Sequence, residues 1–215
     1  MKLKIVLIII VLVVVSGCAQ SATMWTHEQK VFEVSFDSKW KETNTHFVSD
    51  LIHSAFEKAG LQTPKTEKRG NLWLSSEDGK ALIEFSVPDP DKVKLSRDFI
   101  GLNVSDVNGV ADFILLVFSE LEKAMPNMFR FNEDSRKNIT LSGLDAIQAV
   151  YEAEINKQKI KSQSAYFFEN GRILEATFYA KDGLFNHFLP EYEAIIKTLK
   201  IDRDRLANYS ETIDV

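Results

Sequence analysis

The sequence is poor in cysteine and in the short motifs that mark common enzymes. Its 215 residues include a single cysteine, Cys18, so no disulfide can form within the chain. The chain also lacks four common enzyme motifs: Gly-x-Ser-x-Gly, Gly-x-Gly-x-x-Gly, His-Glu-x-x-His and the Walker phosphate loop. No internal repeat is visible, which excludes a solenoid. We therefore expect neither an enzymatic activity nor a cofactor.

Basic residues are outnumbered as well. The chain has 26 Lys and Arg against 31 Asp and Glu, a net charge of −5. Residues 1–17 hold two of the lysines and no acid, so a chain without them carries −7. Binding to nucleic acid depends on Lys and Arg that neutralise phosphates, so we expect no nucleic-acid partner. Charge does not favour adhesion to anionic lipid either.

The N-terminus has the layout of a signal peptide. Lys2 and Lys4 precede eleven consecutive aliphatic residues at 5–15, and two small residues follow. A helix of that length rises about 16 Å, well short of the roughly 30 Å of a bilayer core. The pattern therefore predicts a signal peptide over residues 1–17 rather than a permanent membrane span.

The stretch VSGC at positions 15–18 resembles the bacterial lipobox. The resemblance implies that the Cys18 sulfur receives a diacylglycerol and that the mature chain begins at this cysteine. Residues 18–29 would then be a lipidated tether, and two or more acyl chains hold a protein stably at a membrane. An ordinary secretory signal with an incidental cysteine is the alternative. We expect an extracytoplasmic lipoprotein, and Ala19 favours the periplasmic face of the outer membrane in a cell that has one.

Hydrophobic periodicity predicts one α+β domain over residues 30–202, followed by a charged tail at 203–215 that frays. Strands are expected at 31–36, in a hairpin over 71–87 with an Asp78-Gly79 turn, and from 129 to 180. A two-residue turn at Asn170-Gly171 would place Phe168 opposite Ile173 and Ala165 opposite Ala176. Three amphipathic helices are expected to cover the antiparallel sheet, at 45–60, 109–125 and 187–201. The last would bury Phe188, Tyr192, Ile195, Ile196 and Leu199 and hold Pro190 in its first turn.

Several of these segments resemble the PsbP-like superfamily, whose bacterial relatives include DcrB-like envelope proteins and small lipoproteins. The resemblance is carried by VSFDSKW at 34–40, ITLSGLDAIQAVYEAE at 139–154, FFENGRILEATFYA at 167–180 and FLPEYEAIIKTLKI at 188–201. It covers residues 31–202 and implies an α/β/α sandwich with a central antiparallel sheet. It also implies non-enzymatic roles in assembly, stabilisation and binding.

One face of the first predicted helix could bind a metal. At about 100° per residue, His46, Asp50, His53 and Glu57 lie on one side, opposite the apolar residues. Imidazole and carboxylate groups at this spacing suit Zn²⁺. The alternative is a solvated polar face. A second set, Trp25, Trp73, Phe129 and Phe131, could line a groove, although aromatic residues in such a fold normally belong to the core.

Three functions follow from the sequence. The first is a lipid-anchored, non-enzymatic envelope protein that binds a protein or other partner, with the long polar connection at 88–107 as the candidate surface. The second is a lipoprotein that binds metal or a small molecule through the His46 face. The third is a hydrolase that lacks the familiar motifs.

Overall fold

A computed structural model describes residues 22–44, 47–58, 60, 72–87, 107–181 and 183–209 of the chain. No helix in these ranges is both long enough and apolar enough to cross a membrane. The strands are β1 (Thr23–Thr26), β2 (Phe32–Phe36), β3 (Trp40–Glu42), β4 (Leu72–Ser76), β5 (Ala81–Ser86), β6 (Phe129–Leu141), β7 (Leu144–Ile155), β8 (Gln158–Glu169), β9 (Arg172–Lys181) and β10 (Lys200–Ile201). The helices are α1 (Phe47–Lys58), α2 (Val107–Ala124), α3 (Phe185–Ile196) and α4 (Arg203–Ala207).

The strands form two antiparallel sheets. The larger has seven strands in the order β3-β4-β5-β9-β8-β7-β6, and the smaller has three in the order β1-β2-β10. Strands β6 to β9 follow one another as hairpins, whereas β5 pairs with β9. The β5–β9 pairing therefore joins the N-terminal and C-terminal parts of the sequence at the centre of the sheet.

The β8–β9 hairpin has the predicted two-residue turn. Asn170 and Gly171 both have positive φ, 48° and 83°, which is the backbone shape that twists a tight hairpin correctly. The turn fixes the register, so that Phe168 pairs with Ile173 and Ala165 with Ala176, as expected.

The shorter β4–β5 hairpin also closes where Asp78-Gly79 predicted it. Gly79 has φ +67°, and the side chains of Ser76 and Asp78 both accept the backbone N–H of Lys80. The Ser76 hydroxyl donates to Asp78 at 2.8 Å. Hydrogen bonds from the turn to its own backbone thus define where β5 begins.

The main hydrophobic core lies between one face of the large sheet and α3. The predicted stripe of α3 is buried: Phe188, Tyr192, Ile195, Ile196 and, just after the helix, Leu199. Tyr192 Oη donates to the carbonyl oxygen of Ala176 at 3.1 Å, which ties the helix to β9. The expected position of Pro190 is wrong, because α3 begins at Phe185 and the proline therefore falls in the second turn.

Helices α1 and α2 lie on the opposite face of the large sheet. Phe118 of α2 stacks on Phe131 of β6 with ring centroids 4.2 Å apart, and two smaller apolar clusters fill this side. Phe129 and Phe131 are therefore core residues. With helices on both faces of an antiparallel sheet, the fold is the expected α+β sandwich.

The folded part extends further toward both ends than the sequence predicted. Residues 23–26, expected in the tether, form β1 against β2, and His27 is only 1% exposed. The start of the expected tail forms α4, which Asp202 caps by accepting the Arg205 N–H. Leu206 and Tyr209 are buried among the α3 core, so apolar contacts outweigh the local charge of this segment.

Candidate functional site

Strand alternation divides the residues of β8 and β9 between two very different faces. Ala165, Phe167 and Phe178 point to the α3 core and are fully buried there. The intervening residues face α2, and many of them are polar. Because successive side chains of a strand point to opposite sides, the same two strands build an apolar core and a polar surface.

A pocket of about 210 Å³ lies between this polar surface and α2. We call it the acid–tyrosine pocket. It is lined by Val117, Phe118, Tyr151, Ser162, Ser164, Tyr166, Glu175, Thr177 and Tyr179. Helix α2 supplies the first two residues and the strands β7, β8 and β9 supply the rest. One carboxyl group therefore lies among hydroxyl groups and aromatic rings.

A chain of hydroxyl groups leads to that carboxyl group. Thr177 Oγ1 donates to Glu175 Oε1 at 2.6 Å. The hydroxyls of Ser164 and Thr177 are 2.7 Å apart, and since Thr177 uses its proton on Glu175, Ser164 must be the donor between them. The arrangement Ser164 to Thr177 to Glu175 orders one side of the carboxylate.

A second carboxyl group, that of Glu84, adjoins the pocket. The β5–β9 register places Glu84 opposite Thr177, so that it lies diagonally across from Glu175 on the same face. Tyr179 Oη donates to Glu84 Oε2 at 3.5 Å, and the indole of Trp73 is close enough to lower the pKa of the same carboxyl group. Trp73 is therefore a neighbour of a carboxyl group, not only a core aromatic.

Burial changes the ionisation of both acids. Burial is the largest cause of the rise in the Glu84 pKa to about 7, and the charge of Glu175 is the second. The Trp73 and Tyr179 side chains act in the opposite direction and lower this pKa. Burial also raises the pKa of Glu175, against the hydrogen bond from Thr177. The charge of Glu175 therefore helps to keep Glu84 protonated.

The two carboxyl groups are closely surrounded yet reachable. Glu84, Glu175 and Tyr179 each retain part of their surface, and the last two line the pocket. Protein atoms enclose them on the remaining sides, which explains why burial dominates their pKa values. A ligand in the pocket would therefore meet a carboxylate that water reaches from one direction only.

Tyr151 is a buried polar residue of the lining. It is 3% exposed, and its hydroxyl makes no hydrogen bond of normal geometry within the described part of the chain. Burial raises its pKa to about 12, partly offset by the nearby Tyr166 hydroxyl. A buried hydroxyl with unused hydrogen-bonding capacity is unfavourable unless something polar occupies the space beside it.

The predicted metal-binding face is only partly described. Asp50, His53 and Glu57 are exposed on α1, and His46 lies outside the described residues, so the four-residue set stays a prediction. Within the described ranges, no three His, Cys, Asp or Glu side chains come together as a metal site. Cys18 and residues 88–106 of the polar connection also lie outside these ranges.

Sequence reasoning missed Glu84 and Glu175 as a pair. Each is a charged residue inside an otherwise apolar strand, in ALIEFS and RILEATFYAK. That interruption is a usable signal, because a charged side chain between buried positions must find a special environment. The pairing itself depends on the β5–β9 register, which no local pattern contains.

The architecture matches a known fold. The chain superposes on the solution structure of cyanobacterial PsbP (CyanoP) from Synechocystis sp. PCC 6803 with a TM-score of 0.55, covering 87% of this chain and 96% of that one. The chain has a PsbP-like fold. At 5% sequence identity, the likeness shows the fold alone.

Two further solved structures superpose on the chain with lower TM-scores. The Ran-binding protein Mog1p of Saccharomyces cerevisiae has a TM-score of 0.49 at 8% identity, covering 87% of this chain and 99% of that one. LpqN, involved in cell envelope biogenesis of Mycobacterium tuberculosis, has 0.37 at 14% identity, covering 86% and 87%. Both TM-scores lie below 0.5. No family model matches the sequence, and no curated protein matches it.

The motifs that suggested a PsbP-like fold are structural. Ser142 and Gly143 form the β6–β7 turn, both with positive φ, and Asn170 and Gly171 form the β8–β9 turn. None of these residues lines the acid–tyrosine pocket. The segments that carry the resemblance also contain Tyr151, Glu175, Thr177 and Tyr179, which do line the pocket. Because the likeness shows the fold alone, the role of these four residues follows from their own chemistry.

Proposed function

We propose that this chain is a lipid-anchored, non-enzymatic envelope protein whose PsbP-like domain binds a small ligand group in the acid–tyrosine pocket. The pocket is the observation that carries the proposal. It combines the carboxyl group of Glu175, the Tyr151 hydroxyl, which has no hydrogen-bond partner among the described residues, and a cavity of about 210 Å³. Such concave sites with a few convergent polar groups are where proteins bind small ligands.

The sequence of residues 1–18 supports the anchor, and so does the short distance along the chain between Cys18 and the folded domain. β1 begins at Thr23, so few residues separate Cys18 from the first strand. Acyl chains on that sulfur would hold the domain close to the membrane surface on its extracytoplasmic side.

Replacing the cysteine tests the anchor. We expect Cys18→Ser to lose the lipid and to keep residues 1–17 attached, because the sulfur that carries the diacylglycerol is gone. Mass spectrometry of the wild-type N-terminus should find cleavage before Cys18 and a mass increase from lipid. Ser16→Ala, which keeps a small residue before the cysteine, is the matched control and should still be cleaved and lipidated. An unmodified thiol in the wild-type protein would contradict the anchor.

Blocking the pocket tests the binding function. Val117 lies at the pocket on α2 and is 37% exposed, so a larger side chain there can reach into the space without disturbing the sheet. A thermal-shift screen of full-length protein in detergent would use defined sets of organic cations, carboxylates, phosphates and saccharides. We expect one class to raise the melting temperature of wild type and of the isosteric control Val117→Thr, but not of Val117→Trp.

A hydrolase is the second candidate, and one observation favours it. The pKa of Glu84 is raised to about 7 beside a second buried acid, Glu175, and paired carboxyl groups of this kind are typical of acid–base catalysts. The described lining of the pocket, however, offers no cysteine, histidine or lysine as a nucleophile or base. Turnover of esters, phosphates or glycosides by wild type, lost in Glu84→Gln, would contradict the non-enzymatic proposal.

A further inference from the structure

Among the described residues, the lining of the acid–tyrosine pocket has one acidic side chain and no basic side chain to neutralise it. Glu175 contributes a carboxylate, and no lysine or arginine is among the lining residues. Two basic side chains on this face of the sheet are already engaged: Arg136 pairs with Glu133 and Asp112, and Lys181 lies over the Phe47 ring at 5.3 Å. A charge in such surroundings favours a partner of opposite sign.

Glu175 also has unused acceptor capacity. A carboxylate offers about four lone-pair positions, and the described structure shows one of them taken, by the Thr177 hydroxyl at 2.6 Å. The buried Tyr151 hydroxyl of the same lining is without a partner of normal geometry. These two groups belong to different strands. Each of them would be stabilised by a ligand group that donates hydrogen bonds.

The walls of the pocket are aromatic. The aromatic residues Phe118, Tyr166 and Tyr179 line the same space that Glu175 adjoins. Aromatic faces attract cations within about 6 Å, and more strongly where water is excluded. Rings around a carboxylate thus suit a cation that carries an apolar stem, and they do not suit an anion.

From this juxtaposition we infer that the pocket binds a primary ammonium group on a short apolar stem, with Glu175 as its counter-ion. The inference rests on the proposed binding function and names the ligand class. A volume of about 210 Å³ corresponds to roughly seven water-sized groups, which fits a stem of about four or five carbons with its ammonium. An ammonium donates three hydrogen bonds, enough for Glu175 and a neighbouring hydroxyl.

A divalent metal fits the site less well. Within the described residues no three metal-binding side chains cluster, and the pocket walls are rings rather than oxygen or nitrogen ligands. The same ammonium chemistry can come from a free amine or from a lysine side chain of a protein. The test therefore includes a probe for each source.

The experiment measures the affinity of full-length protein in detergent for n-pentylamine and for a blocked Gly-Lys-Gly peptide, by calorimetry at constant ionic strength. Pentan-1-ol is the neutral control ligand. We expect the amine to bind wild type at least tenfold more tightly than the alcohol. Glu175→Gln, which keeps the size of the side chain, should lose that preference, while Glu193→Gln on the exposed side of α3 should keep it. Binding of the peptide as well would identify a lysine side chain as a possible natural source; binding of the amine alone would identify a free amine.

The outcomes separate this inference from the proposed function. If amines fail but another class in the screen binds and Val117→Trp abolishes it, the ammonium inference is overturned and the binding function stands. If no class binds, or if Val117→Trp has no effect, the binding function fails and the inference with it. Equal binding of n-pentylamine by wild type and Glu175→Gln would also overturn the inference.

Discussion

Replacing Glu84 by glutamine is expected to stabilise the protein above pH 7 and to leave its stability nearly unchanged at pH 4. The pKa of Glu84 is raised from 4.5 to about 7 in the folded state. Below pH 4.5 the side chain is protonated whether the chain is folded or unfolded, and glutamine closely mimics the protonated form. Above pH 7 the folded wild type must hold a negative charge in surroundings that disfavour it.

The sign follows from proton linkage. Between pH 4.5 and about 7 the folded state binds more protons at Glu84 than the unfolded state, so the free energy of unfolding of wild type falls as pH rises through this window. A rise in pKa from 4.5 to about 7 corresponds to about 3 kcal/mol. This is the largest increase in the free energy of unfolding that Glu84→Gln can show at pH 8.

Urea unfolding from pH 4 to pH 8 would measure the effect, with Glu193→Gln as the matched control at an exposed acid. The wild-type and control curves should decline together in this window, and the Glu84→Gln curve should lie above them at high pH. Parallel curves for all three proteins would show that Glu84 titrates normally. A stabilising loss of charge is what one expects of a residue kept for binding rather than for folding.

Replacing Phe178 by alanine is expected to have the opposite effect and to be the larger of the two. Phe178 is fully buried, and its ring lies 5.3 Å from that of Tyr192 and 5.2 Å from that of Phe185. Removing a core phenylalanine typically costs about 3–5 kcal/mol, since apolar contacts are lost and a cavity remains. We expect a loss at the upper part of that range, because the ring joins β9 to two residues of α3.

Phe168→Ala is the matched control for this change. Phe168 belongs to the same hairpin but is only partly buried, so its truncation should cost less than half as much. Chemical unfolding would measure both. Because Phe178 faces away from the acid–tyrosine pocket, the affinity of folded Phe178→Ala for a pocket ligand should match wild type. A loss of binding without a loss of stability would contradict the separation of the two faces.

The two expected results reflect a difference between the two faces of one sheet. Phe178 lies between Thr177 and Tyr179 along β9, yet its side chain is in the apolar core and theirs are in the pocket. Stability is concentrated on the α3 side. The α2 side holds two buried carboxyl groups, which is unfavourable for folding.

Local sequence patterns were enough to predict several parts of the fold. Asn170-Gly171 predicted both a turn and the register of β8 against β9, because only a few residues tolerate the positive φ of a tight hairpin. The spacing of Phe188, Tyr192 and Ile195 predicted the buried side of α3, because a helix repeats every 3.6 residues. In both cases the deciding interactions lie within a few residues along the chain.

Other features could not be predicted in this way. Local charge suggested that the chain after Asp202 is a solvated tail, but Leu206 and Tyr209 are buried against residues from distant strands. Residues 23–26 looked like a tether until β2 supplied their hydrogen-bonding partners. The start of α3 at Phe185 likewise placed Pro190 one turn later than expected.

By itself, the sequence determined the α+β class, the hairpin register at Asn170-Gly171 and the buried stripe of α3, because each depends on contacts between near neighbours. The acid–tyrosine pocket was decided only by the tertiary structure. Glu84 and Glu175 are about 90 positions apart and become neighbours because β5 pairs with β9. The raised pKa values of both acids arise from burial, and that of Glu84 also from this one long-range pairing.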